Sequence, residues 1–171
     1  METVGIVGAG LMGSGIAEAM AVAGLRVIVH EPEPAPLERS TERIAASLDK
    51  AVARGKWSLR AAAAAHERIT HTTCFDDLAA CDLVIEAVTE DEAIKTSVFR
   101  RLDELLGPQV VLASNTSSIP ITTLAAATTR PQRVLGLHFF SPVPVMALVE
   151  VVPAFVTDAA TVAGAEDFAR Q

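Results

Sequence analysis

The sequence predicts an α/β protein: a Rossmann-type, doubly wound, mainly parallel sheet with helices on both faces. Three observations carry that expectation. Short apolar runs alternate with helix-patterned segments along the whole chain. The runs are continuously apolar, as strands covered on both faces should be. The first run ends in a glycine-rich loop that opens a helix. The chain has 171 residues, 50% hydrophobic and 20% charged, enough for one domain with a substantial core.

The elements follow in order. Thr3–Val7 reads as a β-rich strand, and Leu11–Ala23 as a helix of small and apolar residues closed by Gly24. Arg26–His30 is the next strand. Pro32, Pro34 and Pro36 break the chain, and Pro36 is placed to open a helix that runs to about Arg54 before Gly55. Ser58 caps a helix through the Ala61–Ala65 run, where alanine is simply a good helix former. Ile69–Thr72 is a weak strand and Leu83–Ala87 a strong one. Asp91–Leu106 is helical with an acidic first turn, stopped by Gly107 and Pro108. Val110–Ala113 is a strand and Pro120–Ala127 a short helix. Val134–Phe139 and Leu148–Val152 are further strands, and Asp158 caps a last helix to Arg170.

The formal charge of −7 argues against a nucleic-acid surface, which needs clustered Lys and Arg. It leaves room for an anionic ligand held by backbone N–H groups. Cys74 and Cys81 form no CxxC pair, so neither a metal site nor a redox motif is expected. METVGIVG has no cationic leader, and no apolar run reaches the roughly 18 residues of a membrane span. The expected location is cytoplasmic, with no membrane partner.

In GIVGAGLMGSG, the spacing GxGxxG falls on Gly8, Gly10 and Gly13. Gly8 permits a tight turn, Gly10 lets the backbone approach a pyrophosphate, and Gly13 lets the helix pack against the strand. Leu11 and Met12, at the opening of that helix, join them as cofactor-binding candidates. Glu31 follows VIVH at the end of the second strand, where a carboxylate accepts ribose hydroxyls and repels a 2′-phosphate. The expected cofactor is NAD. In open α/β sheets the ligand lies across the carboxyl ends of the strands, which selects Glu86–Glu90, Ser114–Ser118 and His138–Ser141. For Glu86 and Glu90 a solvated loop is an equally good account.

VGIVGAGLMGSGIAEAMA, DLVIEAVTED and the stretch from ASNTSS through GLHFFSPVPVMALVEVV resemble the NAD-binding domain of the L-3-hydroxyacyl-CoA dehydrogenases, including the 3-hydroxybutyryl-CoA enzymes. The resemblance covers nearly the whole chain. It implies that His138 is the catalytic histidine, Glu150 its carboxylate partner and Ser117 the serine near the reacting oxygen. It places Asn115 in the same motif, and Glu90 and Lys95 beside the nicotinamide and its ribose. In SLDKAVARGK it makes Ser47, Lys50 and Arg54 candidates for the CoA moiety of an acyl-CoA substrate. Ser141 stands where the family often has asparagine.

The same resemblance implies a domain at 1–171, with a last helix at about 158–170. Beyond it the family carries a helical domain, absent from this chain, that closes the substrate cleft and forms most of a homodimer interface. An apolar face on the last helix, around Val162 and Phe168, is therefore expected to be exposed. The implied reaction is NAD-dependent oxidation of an L-3-hydroxyacyl-CoA, and its reverse, in fatty-acid metabolism such as β-oxidation. Histidine suits the base because its ordinary pKa lies near neutrality. Pro142 and Pro144 are placed to turn the chain so that Glu150 returns beside His138. Two alternatives stay open: an NAD-binding but inactive domain, and a dehydrogenase of a short hydroxy acid without CoA.

Overall fold

The computed structural model describes residues 1–170. Its strands are β1 (Thr3–Val7), β2 (Arg26–His30), β3 (Ile69–Thr72), β4 (Leu83–Glu86), β5 (Val111–Ser114), β6 (Val134–Phe139) and β7 (Val149–Pro153). Its helices are α1 (Leu11–Val22), α2 (Pro34–Ala53), α3 (Leu59–Glu67), α4 (Glu92–Leu105), α5 (Ile121–Ala125) and α6 (Ala159–Ala169). The strands form one seven-stranded sheet in the order β3-β2-β1-β4-β5-β6-β7. All neighbouring pairs from β3 to β6 are parallel, and β7 runs antiparallel on β6.

The order reverses between β1 and β4: β2 and β3 lie on one side of β1, and β4 to β7 on the other. That reversal opens a crevice at the carboxyl ends of β1 and β4, where α1 and the β4–α4 loop leave in opposite directions. Every residue of β1, β4 and β5 is buried, because helices cover both faces. On one face Val4, Ile6, Val27, Val29, Ile85 and Leu137 pack against α1, α2, α3 and α6. On the other, Val84, Leu112 and Val134 meet Phe99 and Leu102 of α4 and Leu124 of α5.

Three details depart from the sequence expectation. Helix α2 begins at Pro34, two residues earlier than Pro36 alone suggests, with Glu33 as its cap. Both prolines fit, because first-turn residues have no intrahelical partner for an N–H. A 3-10 turn at Phe75–Ala80 has no periodic signal, and it buries Phe75 and Leu78 against the sheet. The expected exposure of Phe168 is wrong: it is buried, because α6 turns that side toward the main core. In this part of the chain the exposed apolar residues lie instead in the loops on either side of β7, at Val145, Leu148 and Phe155, the last 94% exposed.

Candidate functional site

The glycine loop has the geometry its spacing predicts. Gly8 has φ +109, a conformation glycine tolerates and L side chains rarely adopt. A Cβ at Gly13 would lie 1.9 Å from the Gly8 carbonyl oxygen, so only glycine lets α1 start this close to β1. A Cβ at Gly10 would meet nothing within 4 Å; the loop opens there onto free space. No side chain caps α1, which leaves its first N–H groups and positive dipole end available to an anion. Leu11 is exposed at that end and Met12 half-buried.

Glu31 Oε2 accepts the Ala9 N–H at 3.1 Å, which ties the end of β2 to the glycine loop. Both border a cavity of about 410 Å³ with Gly8, Gly10, Phe75 and Arg101. Arg101 lies over the Phe75 ring at 3.8 Å, and His30 meets its edge. His30 Nδ1 is buried without a partner, and burial, with the Arg101 charge, lowers its pKa. An uncapped helix end, a loop that excludes side chains and a carboxylate at the second strand end fit a dinucleotide whose ribose hydroxyls meet Glu31.

A second cavity, of about 380 Å³, lies at the carboxyl ends of β4, β5 and β6. It brings together Met12, Glu90, Lys95, Asn115, Ser117, His138 and Ser141. The antiparallel register sets His138 directly opposite Glu150, and their side chains meet, Nδ1 to Oε2, at 2.7 Å. The other ring nitrogen, Nε2, makes no hydrogen bond among the described residues. Phe140 packs on the imidazole at 4.6 Å between centroids. Asn115 Oδ1 accepts the Phe139 N–H at 2.8 Å, locking the end of β6 to the loop after β5 and leaving its amide NH₂ free. Ser117 and Ser141 are exposed at the cavity rim.

Beneath this cavity lies a charge network that the sequence does not advertise. Glu86 is fully buried, so the solvated-loop account fails for it. Lys95, 1% exposed, donates to Glu86 Oε1 at 2.6 Å, to the Val88 carbonyl at 3.3 Å, and reaches Glu90 Oε2 at 3.2 Å. Its three N–H positions are all engaged, so it borders the cavity without a free donor to offer a ligand. Glu86 Oε2 accepts the Ser114 hydroxyl at 2.6 Å. Glu90 Oε1 accepts the hydroxyls of Thr116 and Ser118 and the Ser117 N–H. Partial burial pushes the Glu90 carboxyl up, but hydrogen bonds from Thr116, Lys95 and Ser118 outweigh it and hold it at about 2.

The candidates for a CoA moiety gather in a third, larger cavity of about 790 Å³, which shares Phe139 with the His138 cavity. Lys50 and Arg54 are exposed at its edge, near Lys56 and Trp57, and its wall includes Val143, Met146 and Phe168. Ser47 is not a free donor: its hydroxyl donates to the buried Glu18 at 2.8 Å. Burial raises the Glu18 pKa, against that hydrogen bond. Cys81 is buried, its thiol pushed up to about 12 by burial, and Cys74 is exposed and unpaired. No three His, Cys, Asp or Glu residues cluster as a metal site among the described residues. No helix among them is long and apolar enough to cross a membrane.

A family model described as 3-hydroxyacyl-CoA dehydrogenase, NAD binding domain, matches residues 3–171. The 3-hydroxybutyryl-CoA dehydrogenase of Mycobacterium tuberculosis is 54% identical over 170 residues, 99% of this chain and 59% of that protein. The 3-hydroxyadipyl-CoA dehydrogenase of Escherichia coli is 43% identical over 162 residues, 95% of this chain and 34% of that protein. The crystal structure of (S)-3-hydroxybutyryl-CoA dehydrogenase from Ralstonia eutropha superposes with TM-score 0.97 at 45% identity, covering 99% of this chain and 60% of that one. The chain thus spans less than two thirds of the length of these relatives. With the family model matched along nearly its whole length, the chain belongs to the 3-hydroxyacyl-CoA dehydrogenase family, of which it carries the NAD-binding domain.

Proposed function

We propose that this domain serves the NAD-dependent oxidation of an L-3-hydroxyacyl-CoA to the 3-oxoacyl-CoA, and the reverse reduction. The observation that carries the reading is the His138–Glu150 pair, 2.7 Å apart at the end of β6, in one cavity with Ser117 and Asn115. The relatives named as 3-hydroxybutyryl-CoA and 3-hydroxyadipyl-CoA enzymes support the substrate class.

In this reading Gly8, Gly10, Leu11, Met12 and Gly13 hold the pyrophosphate, and Glu31 the adenosine ribose. Glu90 and Asn115 border the nicotinamide. NAD, when bound, accepts the hydride. His138 Nε2 takes the proton of the 3-hydroxyl and returns it to the ketone in reduction. Glu150 on Nδ1 fixes the tautomer and stabilises the imidazolium. The Ser117 hydroxyl bonds the reacting oxygen as its charge changes. Ser141, shorter than asparagine, leaves room for a water between its hydroxyl and the ligand. Lys50 and Arg54 meet the CoA phosphates.

The test is NADH-dependent reduction of acetoacetyl-CoA by the complete two-domain enzyme carrying His138→Gln. Loss of about 10²–10⁴-fold in turnover is expected, and wild-type turnover would overturn the assignment. Free acetoacetate as a substrate equal to its thioester would favour a short hydroxy-acid enzyme. The exposure of Ser117 and Ser141 favours a second reading for the 171 residues alone: NAD binding without turnover, the cleft being closed by a further helical domain. Turnover by these residues at the rate of a two-domain relative would refute it. The proposed assembly is a homodimer in the cytoplasm, checked by light scattering and fractionation.

A further inference from the structure

The cavity around His138 has an uneven charge balance that proton transfer alone does not require. The Lys95 ammonium lies between Glu86 and Glu90, at 2.6 and 3.2 Å. One cation between two carboxylates leaves one net negative charge. Glu86 is wholly buried and turned toward Lys95 and Ser114, whereas the Glu90 side chain is 41% exposed at the cavity edge. The other charged groups bordering this cavity are His138 and its partner Glu150.

Hydride exchange places the nicotinamide ring in the cavity that holds His138, since the base works on the hydroxyl of the same carbon. The oxidised ring carries a positive charge. Gaining two electrons and one proton as hydride makes it neutral. A fixed negative charge attracts the first form and is nearly indifferent to the second.

We propose that the Glu86–Lys95–Glu90 triad biases the redox equilibrium of the bound cofactor, holding one net negative charge beside the nicotinamide and favouring its oxidised form. The proposal rests on the dehydrogenase reading above. Glu86 is a positioning residue in it: by neutralising Lys95 it leaves the Glu90 charge uncancelled. Removing either carboxylate charge should therefore have the same sign of effect, although Glu86 lies out of reach of any ligand.

The experiment titrates the 171-residue chain and its Glu90→Gln and Glu86→Gln variants with NAD⁺, NADH and ADP-ribose, by calorimetry and NADH fluorescence at one pH. His138 and Glu150 are common to all three proteins. The ratio of the NAD⁺ to the NADH dissociation constant is expected to rise roughly tenfold in each variant, an upward shift of about 30 mV in the bound couple. ADP-ribose, which lacks the ring, should bind all three within about twofold. An unchanged ratio in Glu90→Gln, or an equal loss for ADP-ribose, would overturn the proposal. Failure of the wild-type chain to bind any of the three ligands would overturn the cofactor reading beneath it. If Glu86→Gln does not fold by circular dichroism, the partly exposed Glu90→Gln decides alone.

Discussion

Replacing Gly13 by alanine separates the packing role of the glycine loop from its binding role. The new Cβ would lie 1.9 Å from the Gly8 carbonyl oxygen and 3.4 Å from Ile6 Cγ2. Nonbonded carbon and oxygen do not approach within about 3 Å, so the start of α1 must move away from β1 by roughly 1 Å. Forced overpacking of this kind costs about 1–3 kcal/mol. The clash is with backbone between two buried elements, which argues for the upper end. Alanine returns about 1 kcal/mol through its helix propensity. The net loss of about 2 kcal/mol corresponds to a fall of about 4–8 °C in Tm for a chain of this size. Gly10→Ala is the control. Its Cβ meets nothing within 4 Å, so it should lose under about 1 kcal/mol, yet it fills the space proposed for the approach of the pyrophosphate. NADH fluorescence titration should show binding weaker by roughly tenfold or more. Thermal unfolding of Gly13→Ala at the wild-type Tm, or of Gly10→Ala below Gly13→Ala, would refute this division of roles.

Three further outcomes are expected. Glu150→Gln removes the charge proposed to steady the His138 imidazolium and should lower kcat by about 10²–10⁴-fold in a complete enzyme with little change in the NADH dissociation constant; an unchanged kcat would count against the pair. Lys95→Met strands the buried Glu86 carboxylate and should destabilise the fold by about 3–5 kcal/mol in urea unfolding, part of it recovered in the Lys95→Met/Glu86→Gln double variant. Glu90, held at about 2 against an ordinary 4.5, stabilises the folded state above the unfolded pKa and loses that contribution as pH falls from about 4.5 toward 2. The stability gap between wild type and Glu90→Gln should narrow over that window, and a gap independent of pH would contradict the hydrogen-bonding account.

Much of the fold was legible because its signals are local. Continuous apolar runs gave the buried strands, and Ser58 and Asp158 cap their helices as expected, through side-chain oxygens that accept an N–H, while Asp91, expected as the first helical residue, is the cap of α4. The start of α2 was misplaced because two prolines satisfy the same first-turn rule. The turn at Phe75–Ala80 has no period to detect. The His138–Glu150 pair was implied by the family resemblance, and the turn-back between two strands only made it reachable. The charge network did not, because lysine is among the residues least often buried. Nothing in the spacing of Glu86 and Lys95 says that their charges meet; that depends on α4 leaning over the end of β4. Phe168 and Phe155 show the same limit: an apolar residue on a terminal element declares itself apolar, and only the packing decides which side it turns.

The one antiparallel strand is what gives the histidine its partner. A further parallel strand after β6 would need a crossover of a dozen or more residues, usually a helix. The stretch 140–148 turns back instead, and an antiparallel return sets residues opposite one another in closely matched pairs. The register of β6 and β7 pairs Leu135 with Pro153 at one end and Phe139 with Val149 at the other. Val149 and Val151 pack against the main core while Glu150 between them projects to the other face. A slip of one residue would bury the carboxylate and turn a valine toward the imidazole. The apolar alternation of β7 therefore sets the spacing of the proposed catalytic pair: two half-buried valines packed on the core hold Glu150 at 2.7 Å from His138. On the parallel side of the same sheet, β4 and β5 deliver Glu86 and Ser114 side by side in register, and the buried bond between them anchors the loop that carries Asn115 and Ser117. Strand pairing thus sets the alignment of the two halves of the site, and the Asn115 bond to the Phe139 N–H ties them together.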